Sequence, residues 1–275
     1  MIEIKNIIKE FSIRMETMSQ EEKEAELNRL DIKSYNEKVG DMDLIDGIHC
    51  EVCNNKGWIK VLVDGCVKVR KCECIGRRKS CMNAKKSGLG EYLDKTLADY
   101  IVTEPWQQHC FDMVNKFVTN HSKDNTWFVA LGQSGCGKTL ACSIIANYLL
   151  FLAKREVCYV VWTDFIGKLK RDMMVDKTND VSEYLDQIKK VDVLFIDEML
   201  KKYNETDLKY LIEIINYRYT NNLKTIITSE NLYEQLLDID EATFSRAIEK
   251  ADGFLINIAK DRKKNYRLKR VRREN

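Results

Sequence analysis

The chain has 275 residues, of which 44% are hydrophobic and 32% charged, and its formal net charge is +2. This composition is typical of a folded globular protein and excludes a disordered or fibrous one. The longest apolar runs have the length of a strand, far below the roughly 20 residues of a membrane-spanning helix. The N-terminus is interrupted by charges and does not resemble a secretory signal. We therefore expect a cytoplasmic protein with one or two domains.

Charge is distributed unevenly along the chain. Acidic residues outnumber basic ones before Asp46, and the segment Lys260–Arg273 is strongly basic. This asymmetry favours an acidic end that contacts protein and a basic end that contacts nucleic acid. Two solvated surfaces would have the same composition, so charge alone leaves both interpretations open.

The first 46 residues are predicted to be helical. Within them, Ser19-Gln20-Glu21-Glu22 matches a capping box, in which the serine and glutamate side chains satisfy free N–H groups at a helix start. Residues 47–90 have few periodic apolar positions and are rich in Cys, Gly, Lys and Arg, which is the composition of a small module held together by a metal. Ser87-Gly88-Leu89-Gly90 is predicted to be a linker or turn.

Four of the ten cysteines form two pairs inside this module. Cys50 and Cys53 make a C-x-x-C pattern, and Cys72 and Cys74 follow after a short segment of strand character. Two such pairs are the signature of a zinc ribbon, since four thiolates complete a tetrahedron around Zn²⁺. The C-x-C half is less usual, so other ligands stay open as candidates, namely His49, Cys66 and Cys81.

From about residue 95 onward, strands and helices alternate. The predicted strands are Trp127–Leu131, Val157–Thr163, Val191–Ile196, Leu223–Ser229 and Gly253–Ile258. The predicted helices are Thr139–Leu152, Asp164–Met174, Val181–Lys189, Thr206–Tyr219 and Glu241–Lys250. Fully apolar strands between helices indicate a five-stranded parallel sheet in a three-layer α/β domain.

The segment after the first of these strands matches the Walker A phosphate-binding pattern. Its residues are Gly132, Gln133, Ser134, Gly135, Cys136, Gly137, Lys138 and Thr139. The glycines let backbone N–H groups face phosphates, and the following helix N-terminus favours anions. Lys138 is predicted to reach the β- and γ-phosphates of ATP, and Thr139 to coordinate Mg²⁺.

A second acidic motif ends the third predicted strand. The run Val193–Ile196 is apolar and delivers Asp197 and Glu198 to the carboxyl edge of the sheet, where ligands bind in such folds. Asp197 is predicted to hold Mg²⁺, and Glu198 to orient or deprotonate the attacking water. A strand-end Asp-Glu pair is weak evidence alone but strong after a phosphate loop. The pair favours an ATP-hydrolysing switch over a small-molecule kinase.

These parts together resemble the DnaC/DnaI family of replicative helicase loaders, which includes phage-encoded members. The resemblance covers nearly the whole chain: a helical N-terminus, the cysteine module, the Ser-Gly-Leu linker and a compact AAA+ domain with a reduced lid. It implies a helicase-interaction domain at residues 1–90 and an AAA+ ATPase domain at 91–275. It also implies three partners: a DnaB-type replicative helicase, single-stranded DNA and further copies of the chain.

The resemblance also implies roles for four polar residues. Arg246 matches an arginine finger that acts on a neighbouring subunit, and Arg267 matches the sensor-2 position better than Arg262 does. Ser229, or Thr228 beside it, matches sensor 1, although Glu230 stands where many relatives carry Asn. From the residues alone, Arg246 is equally compatible with a surface ion pair. Three basic residues on one predicted helix could contact DNA phosphates, namely Lys168, Lys170 and Arg171.

We therefore expect an ATP-dependent loader that delivers a replicative helicase to single-stranded DNA, with ATP, Mg²⁺ and Zn²⁺ as cofactors. Two alternatives remain. One is a transposition helper ATPase similar to IstB, which usually lacks the cysteine module. The other is a zinc-containing DNA-binding adaptor that uses ATP for assembly without turnover.

Overall fold

The computed structural model describes residues 17–175 and 180–271, and for residues 172–175, 180–183 and 269–271 it describes the backbone alone. The chain divides into two compact units, Met1–Arg78 and Lys79–Asn275. The boundary expected from the sequence falls later, after residue 90, and the functional assignment of the two parts stays a prediction. Helices expected over residues 1–16 lie outside the described residues.

The N-terminal unit consists of helices and one hairpin. Its elements are α1 (Gln20–Glu37), α2 (Met42–Asp46), β1 (Trp58–Val63) and β2 (Cys66–Lys71), and α3 (Cys74–Lys86) begins in it. The predicted capping box is confirmed at the start of α1. The Ser19 N–H donates to Glu22 Oε2 at 2.7 Å, and the Glu22 N–H donates to Ser19 Oγ at 3.3 Å.

The N-terminal unit has little apolar core. Ile59 and the half-buried Val61 pack against the four clustered cysteines, and α1 has no buried residue. The helix is instead attached to the hairpin through Asn36, whose side-chain amide bonds both the N–H and the C=O of Lys60 at 2.9 Å. So small an apolar interior would not be expected to hold the unit folded without a further bond, such as a metal.

The second unit alternates strands with helices. Its helices are α4 (Pro105–Asn120), α5 (Lys138–Asn147), α6 (Trp162–Val175), α7 (Asp180–Lys190), α8 (Glu205–Thr220), α9 (Tyr233–Ala251) and α10 (Tyr266–Val271). Its strands are β3 (Phe128–Gly132), β4 (Val157–Val161), β5 (Val193–Met199), β6 (Lys224–Ser229) and β7 (Leu255–Ile258). A π-helical segment, Tyr148–Leu152, continues α5. Among the residues described, none of the helices combines the length and apolar content of a membrane crossing.

The five strands form one parallel sheet in the order β4-β5-β6-β3-β7, which confirms the predicted α/β fold. Every residue of β3 and of β6 is buried, as expected for central strands with helices on both faces. The carboxyl ends of β3, β5 and β6 therefore meet at one edge of the sheet. That edge is where ligands bind in open parallel sheets.

Several element boundaries differ from those predicted. The strand predicted over Val157–Thr163 ends at Val161, because Trp162 begins α6. The strand predicted to end at Ile196 continues through Asp197 to Met199, with a bulge opposite β6. Helix α9 begins at Tyr233 and not at Glu241, and it is kinked at Asp240, whose φ and ψ are −158° and 95°. Charged and polar residues at these positions interrupt the apolar periodicity from which the ends of the elements were predicted.

A fully buried lysine begins β6. The Lys224 ammonium donates to the carbonyls of His121 at 2.9 Å and Thr126 at 2.8 Å, and lies 4.4 Å from the Phe117 ring centroid. Its carboxylate partner, Asp124, is 3.6 Å away and partly exposed. Burial lowers the pKa of Lys224 to about 8, because the charged form loses its hydration.

The depressed pKa of Lys224 predicts a pH-dependent stability. Between pH 8 and 10.5 the unfolded chain keeps a proton on this lysine that the folded chain has lost, so folding gains free energy as pH rises. Relative to a Lys224→Met variant, the wild-type free energy of unfolding should rise by about 1.4 kcal/mol per pH unit in this window. Urea unfolding of both proteins at pH 7.5, 8.5 and 9.5 measures the difference. An exposed substitution, Lys209→Met, serves as the control, and a pH-independent difference for Lys224→Met would contradict the expectation.

Candidate functional site

The predicted phosphate loop forms a tight turn between β3 and α5. Gly135 and Gly137 have φ of +77° and +90°, in the left-handed region that favours glycine. A side chain at Gly132 would lie 2.5 Å from the Ile258 carbonyl oxygen. These glycines permit the turn that ends at Lys138, the first residue of α5. The N-terminus of α5 thus faces the loop and offers free backbone N–H groups to an anion.

The Lys138 ammonium is directed back into this loop. It donates to the carbonyl oxygens of Gly132 at 2.7 Å and Gln133 at 2.8 Å. These two carbonyls position the ammonium inside the turn. From there it can bind a phosphate group that the loop N–H groups hold. Cys136 is also engaged within the loop, since its thiol donates to the Gln133 carbonyl at 2.9 Å.

Asp197 lies at the junction of three elements. It accepts hydrogen bonds from Thr139 Oγ1 on α5, at 3.0 Å, and from Thr228 Oγ1 on β6, at 2.5 Å. The carboxylate is buried, and burial raises its pKa, while the two threonine hydroxyls act in the opposite direction. Thr139 and Asp197 thus present adjacent oxygen atoms beside the phosphate loop, which fits the oxygen ligands that Mg²⁺ prefers.

Glu198 has a strained backbone and a charged partner. Its φ is +56°, a left-handed value that a non-glycine residue adopts at a cost of order 1 kcal/mol. Its N–H donates to Thr228 Oγ1 at 3.0 Å, which holds the peptide in place. Its carboxylate lines the cleft and accepts from Lys201 Nζ at 2.7 Å. Lys201 also lies 3.8 Å from the Glu230 carboxylate.

The two candidates for sensor 1 make different contacts. Ser229 donates to the backbone carbonyl of Met199 at 2.6 Å, whereas Thr228 bonds Asp197 and the Glu198 N–H. Both residues line the cleft. The geometry favours Thr228 for contact with the reacting groups, because the Ser229 hydroxyl is engaged with the backbone. The role of either residue stays a prediction.

The phosphate loop opens into a solvent-accessible cleft of about 210 Å³. Several cleft residues precede the loop in sequence and were not predicted, namely Tyr92, Asp99, Tyr100, Ile101, Trp106 and Gln107. Buried Asn147 fixes this segment, because its side-chain amide donates to the carbonyls of Tyr92 at 2.6 Å and Lys95 at 2.9 Å. Aromatic side chains beside a phosphate loop suit the flat base of a nucleotide.

Residues after β7 complete the cleft. The Tyr266 N–H donates to the Gly135 carbonyl at 2.8 Å, and Arg267 Nη1 lies 3.5 Å from Ser134 Oγ. Gln133 exchanges two hydrogen bonds of 2.6 Å with the backbone of Asp261. Of the two arginines weighed for sensor 2, Arg267 lines the cleft, and Arg262 is not among its described lining residues.

Arg246 is not among the described residues that line the cleft. It is exposed on α9, where it donates to Asn216 Oδ1 at 2.7 Å and lies 5.6 Å from the Tyr219 ring centroid. Within one chain it therefore has a surface contact and no contact with the phosphate loop. Of the helix α6 lysines, Lys170 pairs with Asp207 at 2.6 Å, and Lys168 lies over the Tyr184 ring.

The four predicted zinc ligands come together in the N-terminal unit. The sulfurs of Cys50, Cys53, Cys72 and Cys74 are buried and all lie within 4.8 Å of one another. Among the described residues, the alternative ligand candidates His49, Cys66 and Cys81 are not part of this four-cysteine group.

The spacing of these sulfurs fits a tetrahedral cation. The Cys50–Cys72 and Cys53–Cys74 separations are 3.8 and 3.6 Å. A tetrahedron with bonds of about 2.3 Å has edges of about 3.8 Å. Burial raises the pKa of the Cys74 thiol to about 12, so a cation is needed for four neighbouring thiolates to coexist.

Groups around the cysteines support the same interpretation. The Gly57 N–H donates to Cys53 Sγ at 3.2 Å, and Arg78 Nε donates to Cys74 Sγ at 3.5 Å. The Arg78 guanidinium is buried and also pairs with buried Asp46 at 2.6 Å. Such donors orient thiolates and offset the negative charge that four of them leave on a zinc site.

Comparison with known proteins gives matches over most of the chain. The family described as the bacterial DnaA ATPase domain matches residues 96–250. The uncharacterized protein YqaM of Bacillus subtilis (strain 168) is 26% identical over 254 residues, which are 87% of this chain and 78% of that protein. The replicative helicase loader DnaC of Buchnera aphidicola subsp. Baizongia pistaciae (strain Bp) is 26% identical over 172 residues, 60% of this chain and 69% of that loader. A crystal structure of DnaI, 26% identical, covers 62% of this chain and 92% of its own, with a TM-score of 0.49.

Proposed function

The chain belongs to the family of the bacterial DnaA ATPase domain, an AAA+ family that matches residues 96–250, and from this premise we propose that it is an ATP-switched loader of a replicative helicase. In this proposal it binds a DnaB-type helicase and delivers it to single-stranded DNA. ATP hydrolysis times the release of the helicase. The resemblance to DnaC-type loaders, first drawn from the motifs, agrees with the similarity to a replicative helicase loader.

The observation that carries the proposal is the meeting of five functional groups in one cleft. The phosphate loop with Thr139, the Asp197–Glu198 pair and Arg267 come from three separate parts of the chain and converge at the carboxyl edge of the sheet. This combination suits binding of a nucleoside triphosphate and attack by water on its last phosphate.

Each residue has a part in the proposed hydrolysis. When bound, Mg²⁺ neutralises charge on the β- and γ-phosphates. Thr139 and Asp197 would hold that ion, and the loop N–H groups with Lys138 would hold the phosphates. Glu198 would orient the attacking water and accept its proton. Arg267, beside Ser134, would contact the γ-phosphate from the opposite side of the loop.

The position of Arg246 supports self-association. An arginine finger acts across a subunit boundary, so it is expected on the surface and away from the cleft of its own chain. Arg246 is exposed and contacts Asn216 and Tyr219 on the neighbouring helix α8. We therefore keep Arg246 as the residue that a second copy of the chain would present to this cleft.

One observation favours a second candidate, the zinc-containing adaptor without turnover. Lys201 Nζ pairs with the Glu198 carboxylate at 2.7 Å. The carboxylate that would accept the water proton is therefore engaged in an ion pair. An adaptor would keep this pair and use ATP only to assemble. The loader requires Glu198 to exchange this contact for the water.

Helicase binding is tested by size-exclusion chromatography with light scattering on the full-length chain and its host helicase, with ATP and Mg²⁺. The N-terminal unit exposes Leu44 by 86%, so Leu44→Asp changes a surface group and is expected to abolish a co-eluting complex. Leu152→Asp in the second unit, where Leu152 is 67% exposed, is the matched control. A substitution is preferable to deletion of residues 1–90, because the deletion would remove Ser80 and Asn83. These two side chains accept hydrogen bonds from the N–H groups of edge strand β4. Absence of a complex with the wild-type protein would overturn the loader proposal.

A further inference from the structure

Charge separates sharply within the N-terminal unit. Between residues 17 and 55 there are ten Asp and Glu against four Lys and Arg. Between residues 56 and 78 there are seven Lys and Arg against two Asp and Glu. The second stretch contains the hairpin of β1 and β2. The hairpin is therefore a basic element next in sequence to an acidic one, and the two suit partners of different charge.

Among the described residues, the hairpin has one face that packs partly on the cysteine cluster and one face that is largely exposed. In a strand, alternate side chains share a face, so Ile59 and Val61 point to the cysteine cluster and pack on it. Trp58, Leu62, Val69 and Lys71 lie on the other face, given the pairing of Trp58 with Lys71 and of Lys60 with Val69, and half-buried Lys60 on this face is paired with Asp31 of α1. We call these four residues the outer hairpin face. On it Trp58 is 41% exposed, Leu62 55% and Val69 52%.

Trp58 and Lys71 are neighbours on the outer hairpin face. The Lys71 ammonium lies 5.7 Å from the Trp58 ring centroid, and both side chains are exposed. An exposed tryptophan with a cation beside it offers a flat ring and a positive charge to the same ligand. The bases and phosphates of a nucleic acid strand need that pair of contacts.

Two further cations lie on the opposite face of β2, because Arg70 pairs with Ile59 and Lys68 with Val61. Lys68 and Arg70 are exposed, and the six residues of β2 include no acidic side chain. Within the described residues β2 pairs with β1 alone, so its outer edge stays accessible. A protein partner would be expected to use larger apolar contact, whereas an exposed tryptophan beside a lysine, on a hairpin of positive charge, matches a phosphate backbone with unstacked bases.

We infer that the outer hairpin face binds single-stranded nucleic acid, with a base stacked on Trp58 and a phosphate bound by Lys71, while Lys68 and Arg70 on the opposite face of β2 add positive charge to the same strand. This site deepens the proposed loader function, on which it rests for its biological purpose, since a loader must hold the strand that the helicase will encircle. It is separate from the nucleotide cleft and requires neither ATP nor hydrolysis.

The intrinsic fluorescence of Trp58 tests the site directly. The chain has four tryptophans, of which Trp127 and Trp162 are fully buried. In a Trp106→Phe background, exposed Trp58 is thus the tryptophan that added oligothymidylate can reach. We expect saturable quenching of its emission, which higher salt reverses because counterions compete for the phosphates.

Anisotropy of a labelled oligothymidylate then measures affinity in the full-length, metal-loaded chain. Trp58→Ala should weaken binding about five- to a hundredfold, in line with the loss of one stacked base. Lys71→Glu should weaken it and should lower the salt slope by about one. Lys33→Glu on α1, an exposed lysine of the same unit, is the matched control with the same charge change. Zinc content and circular dichroism confirm that each variant is folded.

Failure of the nucleic-acid site and failure of the loader proposal would give different experimental results. Oligothymidylate binding that is unchanged in folded Trp58→Ala and Lys71→Glu variants would overturn the inference of a nucleic-acid site. Loss of helicase binding, instead of oligonucleotide binding, in those variants would show that the face contacts an acidic protein and would likewise overturn it. Conversely, Lys138→Ala is expected to lose ATP and keep the Trp58 signal. If no helicase complex forms but the Trp58 signal persists, the loader proposal fails and the nucleic-acid site stands.

Discussion

Glu198→Gln is expected to bind ATP as tightly as the wild-type protein and to hydrolyse it about 10²- to 10⁴-fold more slowly. Gln keeps the size and hydrogen-bonding capacity of the side chain but cannot accept a proton from water. The backbone should stay in place, because the Glu198 N–H is held by Thr228 and this contact does not involve the carboxylate. Phosphate release at saturating ATP measures turnover, and titration with a fluorescent ATP analogue measures binding.

Glu230→Gln is the matched control for this experiment. Glu230 also lines the cleft and lies 3.8 Å from the same lysine, Lys201, but it is not next to Asp197 in the motif. We expect its turnover to stay within a few fold of the wild-type value. If Glu198→Gln hydrolysed ATP at the wild-type rate, Glu198 would not be the base. If it retained full helicase loading while turnover was lost, the adaptor without turnover would replace the ATP-switched loader.

The parts of the nucleotide site that are contiguous in sequence were predictable. The phosphate loop is one run of eight residues, and its glycines have the positive φ values that such a turn requires. Asp197 and Glu198 follow a buried strand directly, so their delivery to the sheet edge followed from strand order alone. The sheet itself was predictable for the same reason, because fully apolar strands alternating with helices leave few other arrangements.

Contacts between distant segments were not predictable. Tyr92 and Trp106 precede the phosphate loop and reach the cleft through the fold, in part because Asn147 binds the backbone near Tyr92. The Lys201–Glu198 pair depends on the left-handed backbone conformation of Glu198 and Leu200. Glutamate and leucine rarely adopt this conformation, so their residue types do not predict it. These features come from tertiary packing, which overrides local preference.

The choice between Thr228 and Ser229 as sensor 1 also could not be made from the sequence. Successive strand residues point to opposite faces, so the two hydroxyls have different surroundings, yet the sequence does not state which face holds Asp197. The register of β6 against β5 decides it and directs Thr228 to the carboxylate. In the cysteine module the spacing indicated four ligands but left Cys66 and Cys81 open, and the fold leaves both outside the cluster.

Removal of the zinc that we propose for the four cysteines is expected to unfold the N-terminal unit while the ATP cleft keeps its ligand. Among the described residues of that unit, the buried aliphatic side chains are Ile48 and Ile59, with half-buried Val61 beside the four cysteines, so little stability remains without the metal bonds. Structural zinc sites of this type contribute about 10–16 kcal/mol of apparent binding free energy, far more than two aliphatic side chains. Cys53→Ser removes one ligand and should therefore cause loss of zinc, rapid proteolysis within residues 17–78 and a red-shifted Trp58 emission.

The matched control is Cys66→Ser, because Cys66 is exposed on β2 and lies outside the four-cysteine cluster. This variant should keep one zinc per chain and the protease resistance of the wild-type protein. In both variants the ATP analogue should bind normally, because the phosphate loop and its contacts belong to the second unit. Metal analysis, limited proteolysis and ATP titration give the three readouts. A Cys53→Ser protein that kept its zinc and its protease resistance would show that another residue completes the tetrahedron, and the ligand set would have to be reassigned.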